Sequence, residues 1–182
     1  MPWLILDRDG VINRDSEAFI RTPQEWVPIP GSIEAMARLS RAGWRVAIAT
    51  NQSGLARGLF DAATLEAIHA KLEQAVSAAG GCIDALAYCP HGPGDGCTCR
   101  KPAPGLYREL AERLEERLEG VPVIGDSARD LEAAAAVGAR PILVRTGKGE
   151  ETLARGGLPP GTEIHADLAA AAARLLEEEE EP

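Results

Sequence analysis

Short apolar runs alternate with longer stretches of helical period along this chain, and that alternation limits its possible folds more than any other feature. "WLIL" (3–6) is followed, after a polar segment, by "SIEAMARLSRAG" (32–43). There Ile33, Met36 and Leu39 recur at helical spacing, with Ser32 expected as the N-cap and Gly43 as the stop. "WRVAIAT" (44–50) predicts a second strand. The helix after it is expected to be capped by Asp61, to bury Leu65, Ile68, Leu72 and Val76, and to end near Gly80 and Gly81. "CIDALAY" (82–88) predicts a third strand, and Pro104 opens a helix with Leu106, Leu110, Leu114 and Leu118 facing inward. "VPVIGD", "SARDLEAAAAVGA" and "PILVRT" continue as strand, helix, strand. A weak strand near Ile164 and a helix from Asp167 complete the pattern. Strands joined through helices lie parallel and need helices over both faces. The expected fold class is α/β, a doubly wound, Rossmann-like parallel sheet with helices on both faces.

At 182 residues the chain has the size of one domain, able to bury roughly 70% of its unfolded surface. No repeat or linker divides it, so 1–176 is expected as a single domain and the glutamate run with its final proline (177–182) as a solvated, flexible tail. No apolar run reaches the roughly 20 residues of a membrane span, and "MPWLILDRDG" lacks the basic start of a secretory signal. A cytoplasmic monomer without a membrane partner is expected. The net charge of −9 argues against a nucleic-acid partner, because phosphate backbones are held by clustered Lys and Arg. An anionic substrate would have to be met by local positive charge.

In open parallel sheets, ligands bind beyond the carboxyl ends of the strands. In this chain those positions are polar. "DRDGVIN" places Asp7 and Asp9 after the first strand, and "TNQSG" places Thr50, Asn51, Gln52 and Ser53 after the second. Arg100 and Lys101 follow the third, and "GDSARD" sets Asp126, Ser127 and Asp130 after the fourth. Together these residues suit phosphoryl transfer. Close carboxylates repel unless a cation intervenes, so Asp7, Asp9 and Asp126 form the hard-oxygen nest that Mg²⁺ occupies with waters and a phosphate. One Asp can then attack phosphorus while its neighbour protonates the leaving oxygen and later activates water. Thr50 and Asn51 offer donors to phosphate oxygens, and Lys101 offers a compact positive charge.

"DRDGVIN", "ATNQSG", "RKP" and "GDSARD" resemble the four successive motifs of the haloacid dehalogenase (HAD) superfamily of Mg²⁺-dependent phosphohydrolases. "CPHGPGDGCTCRKP" (89–102), with "NRDSEAFIRTPQEWVPIPGS" and "NQSGLARG", is similar to the D-glycero-D-manno-heptose 1,7-bisphosphate 7-phosphatase family within it. That resemblance implies a HAD-like fold with no large cap domain and a zinc-binding loop insertion. It implies removal of the C7 phosphate from a phosphosugar on the way to heptose-containing surface glycans. By residue, it implies Asp7 as nucleophile, Asp9 as acid/base, and Thr50 and Lys101 as phosphate stabilisers. Mg²⁺ would be held by the Asp7 side chain, the Asp9 backbone carbonyl and Asp126. Asp15, Ser16, Glu17, Ala18 and Arg100 would touch the sugar or its second phosphate. Asp130, with Ser127, would orient Lys101 or the metal shell.

Cys89, His91, Cys97 and Cys99 supply three thiolates and an imidazole, a complete tetrahedral set for a structural Zn²⁺; free thiols in a polar loop are the alternative. A cytosolic chain of this size neither needs nor easily keeps disulfides. Cys82 is expected as a small buried hydrophobe. His69 and His165 are expected at the surface, Trp26 as packing beneath a loop rather than as a pocket wall, and "RTGKG" near Arg145 as a turn. Arg57 either reaches a remote phosphate or faces solvent. Histidinol-phosphate phosphatases carry a related loop, so histidinol phosphate is the alternative substrate. A phospho-accepting signalling domain is a further alternative, and a silent zinc-stabilised binding protein the last.

Overall fold

The strands β1 (Trp3–Leu6), β2 (Arg45–Asn51), β3 (Ala85–Cys89), β4 (Pro122–Gly125), β5 (Arg140–Val144) and β6 (Glu163–His165) form one six-stranded sheet in the order β3-β2-β1-β4-β5-β6. This is a computed structural model, and it describes residues 1–180. Every neighbouring pair is parallel. All four residues of β1 and of β4 are buried, which is why they read as unbroken apolar runs: a central parallel strand is covered on both faces. The chain winds outward from β1 to β3, then crosses to β4 and winds the other way. Loops leaving the adjacent ends of β1 and β4 therefore diverge and open a crevice at that seam.

Side chains alternate between two cores, as the period of a strand requires. Leu4, Leu6, Val46 and Ile48 pack on one face under α1 (Ser32–Arg41), α2 (Ala62–Ala78) and α6 (Leu168–Glu180). Trp3, Ile5, Ala47 and Ala49 pack on the other under α3 (Gly105–Leu114) and α4 (Ala128–Ala136). Alanines at 47, 49 and 87 let α3 approach the sheet closely. Trp26 is buried in the first core, as packing. Its segment is fastened from α2, where the Lys71 ammonium donates to the carbonyls of Pro23 (2.7 Å) and Trp26 (2.9 Å).

The structure departs from the sequence pattern at several element ends. Asp61 caps α2 as expected, accepting from the Thr64 amide at 2.8 Å. Ser32, however, is the first residue of α1 and not its cap, which is Gly31; the Ser32 hydroxyl donates to the Ile12 carbonyl at 2.6 Å and ties α1 to the loop after β1. The third strand starts only at Ala85. Asp84 stands in for the missing ladder, its carboxylate accepting from the Val46 amide at 2.7 Å, and this leaves Cys82 exposed and not buried. Helix α3 stops at Leu114 because Glu115 turns left-handed, so Leu118 lies beyond it. The short helix α5 (Gly149–Arg155) follows "RTGKG" and was not expected, since seven residues carry too little periodicity to announce it. The glutamate run, expected as a solvated tail, is helical to Glu180. Glu178 accepts two hydrogen bonds from Arg140 (2.7 and 2.8 Å) and Glu179 one from the Trp44 indole (2.8 Å). Positions 181 and 182 of that expected tail lie outside the described residues.

Candidate active site

At the end of β1 the chain alternates Asp7, Arg8, Asp9. The two aspartates line the crevice, while Arg8 turns inward and is fully buried. Lys101 arrives from beyond β3. Its ammonium donates to Asp7 Oδ1 (3.0 Å), Asp130 Oδ1 (2.6 Å) and the Ala49 carbonyl (2.7 Å), so all three donors of a buried cation are placed. Asp130 is fixed in turn. Its Oδ2 accepts from the amide (3.2 Å) and hydroxyl (2.9 Å) of Ser127, the capping box of α4, and its carbonyl accepts from the Tyr107 hydroxyl at 3.1 Å. Asn51 uses its carboxamide twice on the Lys101 backbone, accepting from the amide at 3.0 Å and donating to the carbonyl at 3.1 Å. That clamp joins the end of β2 to the lysine's segment.

Asp126, after β4, sits in a cradle made by two glycines. A Cβ at Gly10 (φ +85°) would lie 2.0 Å from Asp126 Oδ2, and one at Gly147 (φ +57°) 2.3 Å from it. Only glycine allows both the close approach and the left-handed backbone. Asp126 Oδ2 accepts from the Lys148 amide at 2.9 Å, and the Thr146 hydroxyl donates to the Gly10 carbonyl at 2.6 Å. The "RTGKG" turn thus closes the site from the β5 side.

Carboxylate oxygens of Asp7, Asp126 and Asp130 lie within 4.8 Å of one another. Burial and the charge of Asp130 push the Asp7 carboxyl up to about 7 against the pull of Lys101; burial, Asp7 and Asp130 push Asp126 up to about 8. Such crowding is relieved by a divalent cation. Both Asp130 oxygens already accept protein hydrogen bonds, whereas Asp7 Oδ2 and Asp126 Oδ1 accept none among the described residues. Those two oxygens fit a hard cation. The Asp9 carboxylate is turned away from this group, which leaves Asp9 only its backbone carbonyl for a metal. Burial favours a neutral Asp9, but Arg8, Asn13 and Gln52 outweigh it and hold the carboxyl below its usual range.

A cavity of about 300 Å³ opens over these groups. Asp15, Ser16, Glu17, Thr50, Asn51, Gln52, Ser53, Arg57, Arg100 and Ser127 line it with the residues above; Ala18 does not. Thr50 is buried and its hydroxyl accepts from Gln52 at 2.9 Å. The Arg57 guanidinium lies 5.5 Å above the Phe19 ring. Two further cations on the wall, Arg129 and Lys148, were not singled out from the sequence. Arg129 lies inside "GDSARD" and Lys148 inside the "RTGKG" turn. His69, expected at the surface, is buried beside Arg8, and His165 is half-buried beside Glu163, 3.5 Å away and off the cavity.

The second cluster flanks the cavity. Cys89 ends β3, and Cys97 and Cys99 return beside it. Cys89 Sγ lies 3.7 Å from Cys97 Sγ and 3.5 Å from His91 Nδ1, and His91 Nδ1 lies 3.3 Å from Cys99 Sγ. A Zn²⁺ tetrahedron with bonds of about 2.3 Å has sulfur–sulfur edges of about 3.8 Å, so these spacings fit. Cys89 and Cys99 stand closer, at 2.9 Å, still well beyond the roughly 2.05 Å of a disulfide. Burial and the Cys99 contact raise the Cys89 thiol to about 12, while the Arg100 amide draws Cys97 down to about 7. The next residue after this group, Arg100, donates to the His91 carbonyl at 3.2 Å, so the loop's closure sets where the guanidinium points.

Comparison with known proteins agrees with this geometry. The HAD-hydrolase-like family model matches residues 98–171. The D-glycero-beta-D-manno-heptose-1,7-bisphosphate 7-phosphatase of Bordetella bronchiseptica is 60% identical over 178 residues, covering 98% of this chain and 99% of that protein. The enzyme of the same name from Neisseria meningitidis is 43% identical, covering 100% and 98%. The crystal structure of D,D-heptose 1,7-bisphosphate phosphatase from B. bronchiseptica, complexed with magnesium and phosphate, matches with a TM-score of 0.96 at 60% identity over 98% of this chain and 99% of that one. Because this identity runs from end to end and is not confined to the four motifs, the chain belongs to the D-glycero-beta-D-manno-heptose-1,7-bisphosphate 7-phosphatase family of HAD-like hydrolases.

Proposed function

We propose that this chain hydrolyses the C7 phosphate of D-glycero-D-manno-heptose 1,7-bisphosphate, with Mg²⁺ at Asp7, Asp126 and the Asp9 backbone carbonyl, and with a structural Zn²⁺ at Cys89, His91, Cys97 and Cys99. The observation that carries the reading is the Asp7 carboxylate, fixed through Oδ1 by Lys101 and, among the described residues, without a hydrogen-bond partner on Oδ2, in the lining of a polar cavity. The Asp7 carboxylate attacks phosphorus as the bond from phosphorus to the sugar oxygen breaks, and Asp9 gives that oxygen its proton. Water then attacks the aspartyl phosphate and Asp9 takes the water's proton. The bond to Asp7 breaks, and inorganic phosphate leaves. Asp9 is ionised before substrate enters; incoming phosphoryl oxygens raise it by like-charge repulsion, so it takes up a proton from solvent as substrate binds and holds that proton for the leaving oxygen. The positive charge of Lys101 and the Thr50 hydroxyl stabilise the equatorial oxygens. When bound, Mg²⁺ supplies charge neutralisation at the phosphoryl group.

The sugar end is read by cations. Arg57, Arg100 and Arg129 line the cavity, and among the described residues none of them pairs with a carboxylate. Burial and the neighbouring charges of Arg129 and Arg57 lower Arg100, a strain that a second phosphate relieves. Histidinol phosphate has one phosphate and would leave these guanidiniums unmatched. The work is that of a cytoplasmic monomer; among the described residues no helix is long and apolar enough to cross a membrane. Purified protein with Mg²⁺ should release phosphate from heptose bisphosphate with a higher kcat/KM than from histidinol phosphate, and Asp7→Asn should abolish turnover. Full activity of Asp7→Asn, or the reverse substrate order, would refute the corresponding part of the reading.

A further inference from the structure

The Asp9 carboxylate is held asymmetrically. Oδ1 accepts from Arg8 Nε (2.9 Å), Arg8 Nη2 (2.7 Å) and Asn13 Nδ2 (2.9 Å), whereas among the described residues Oδ2 accepts only from Gln52 Nε2 at 3.1 Å. An arginine fork commonly meets a carboxylate with one N–H on each oxygen. Here both N–H groups converge on one oxygen, which saturates Oδ1 and leaves Oδ2 as the atom that can exchange a proton. The guanidinium achieves this while fully buried, so its remaining edge needs a partner. That partner is His69 on α2, whose Nε2 lies 3.1 Å from Arg8 Nη1. Arginine has no acceptor, so His69 Nε2 must be the acceptor and the ring must be the neutral Nδ1–H tautomer. Burial and the Arg8 charge both favour that neutral ring, drawing His69 down to about 3.

We propose that His69 is a positioning residue for the acid/base step: by accepting from Arg8 it fixes the rotation of the guanidinium, and so decides which oxygen of Asp9 faces the leaving group. The inference rests on the assignment of Asp9 as acid/base. Without the imidazole acceptor, Arg8 Nη1 is a buried donor with no partner. The guanidinium then turns to serve that donor, and any such turn breaks the convergence of Nε and Nη2 on Asp9 Oδ1 that leaves Oδ2 for proton transfer. His69 sits 61 residues from Arg8 in sequence and lies outside the cavity lining, and among the described residues its side chain hydrogen-bonds only to Arg8. Its influence passes entirely through Arg8.

The leaving group provides the discriminating measurement. An alkoxide such as the heptose C7 oxygen needs a proton to depart, whereas p-nitrophenolate does not. In single-turnover experiments with Mg²⁺, His69→Leu should slow release of heptose 1-phosphate by about 10- to 100-fold, a large part of the 10²–10⁴-fold typical of proton transfer. Release of p-nitrophenolate from p-nitrophenyl phosphate should change less than about threefold, and KM less than about twofold. His69→Gln, whose carbonyl can also accept from Arg8, should recover most of the heptose rate. Equal losses with both substrates, an unaltered heptose rate in folded His69→Leu, or failure of His69→Gln to recover the rate would overturn the proposal. Wild-type protein inactive on heptose bisphosphate would instead overturn the substrate reading; an alkyl phosphate that it does hydrolyse then replaces the heptose. If His69→Leu does not fold, ¹⁵N NMR of the wild-type ring decides. A bare Nε2 with a protonated Nδ1 supports the arrangement, and an Nε2–H ring refutes it.

Discussion

Asp130 Oδ1 lies 2.6 Å from the Lys101 ammonium, and both side chains are closed off from solvent. Removing one partner of a buried ion pair leaves the other charge unpaired, at a cost of about 3–5 kcal/mol. Asp130→Ala leaves Lys101 to Asp7 alone, so it should lower the unfolding free energy by up to about that amount in urea titrations, and should lower kcat because Lys101 loses its closest anchor. A change below about 1 kcal/mol would show that Asp7 and the Ala49 carbonyl suffice to hold the lysine.

Asp7 and Asp126 are raised to about 7 and about 8 by burial and by neighbouring carboxylates. Between the ordinary aspartate value of 3.8 and those values, the folded chain keeps protons that the unfolded chain has released. Metal-free stability consequently falls as pH rises through this window. Mg²⁺ competes with the same protons, so its affinity rises with pH. The increase in Tm on adding Mg²⁺ should be larger at pH 8 than at pH 6. The opposite order would remove Asp7 and Asp126 as the ligands.

Protein purified without added metal should contain about one zinc per chain, because Cys89, His91, Cys97 and Cys99 make a complete tetrahedral set. Cys99→Ser should lose that zinc and lower Tm. KM should rise more than kcat falls, since Arg100 is aimed from the same loop. Metal analysis alongside melting and kinetics checks each part; unchanged zinc content and Tm would argue for ordinary thiols.

Arg140 joins β5 to β6 through Glu163 and to α6 through Glu178. Its hydrogen bonds hold both glutamates below their ordinary value of 4.5. A lowered carboxyl contributes stability above the ordinary value and loses it as pH falls through the folded one. The Tm difference between wild type and Arg140→Met should be small at neutral pH, as partly exposed ion pairs are worth about 1 kcal/mol or less, and should shrink further toward pH 3. A difference that grows on acidification would contradict the pairing.

How much was legible beforehand follows from how far apart the interacting residues lie in the chain. Asp61 and its helix were readable because a cap and its target amide are three residues apart. Asp7, Asp9, Thr50 and Asp126 were readable because a motif at a strand end is local, and parallel topology alone sends those ends to one edge. The Cys-His loop was readable because its ligands span only 89–99. Ser32, Cys82 and His69 were misjudged, and Lys148 was passed over, for the opposite reason. Each takes its role from a distant segment: Ile12 for Ser32, the Asp84 to Val46 pairing for Cys82, Arg8 for His69, and Asp126 for Lys148.

The sequence by itself determined the parallel α/β plan and the chemical character of the strand ends, because hydrophobic period and motif spacing are written along the chain. Only the tertiary structure decided that Lys101 sits between Asp7 and Asp130, that Gly10 and Gly147 enclose Asp126, and that a buried Arg8 places two N–H groups on one oxygen of Asp9 while its far edge meets His69. Those choices depend on which polar groups are left without water when the two cores close, and a buried donor or acceptor takes whatever partner the fold brings within about 3 Å.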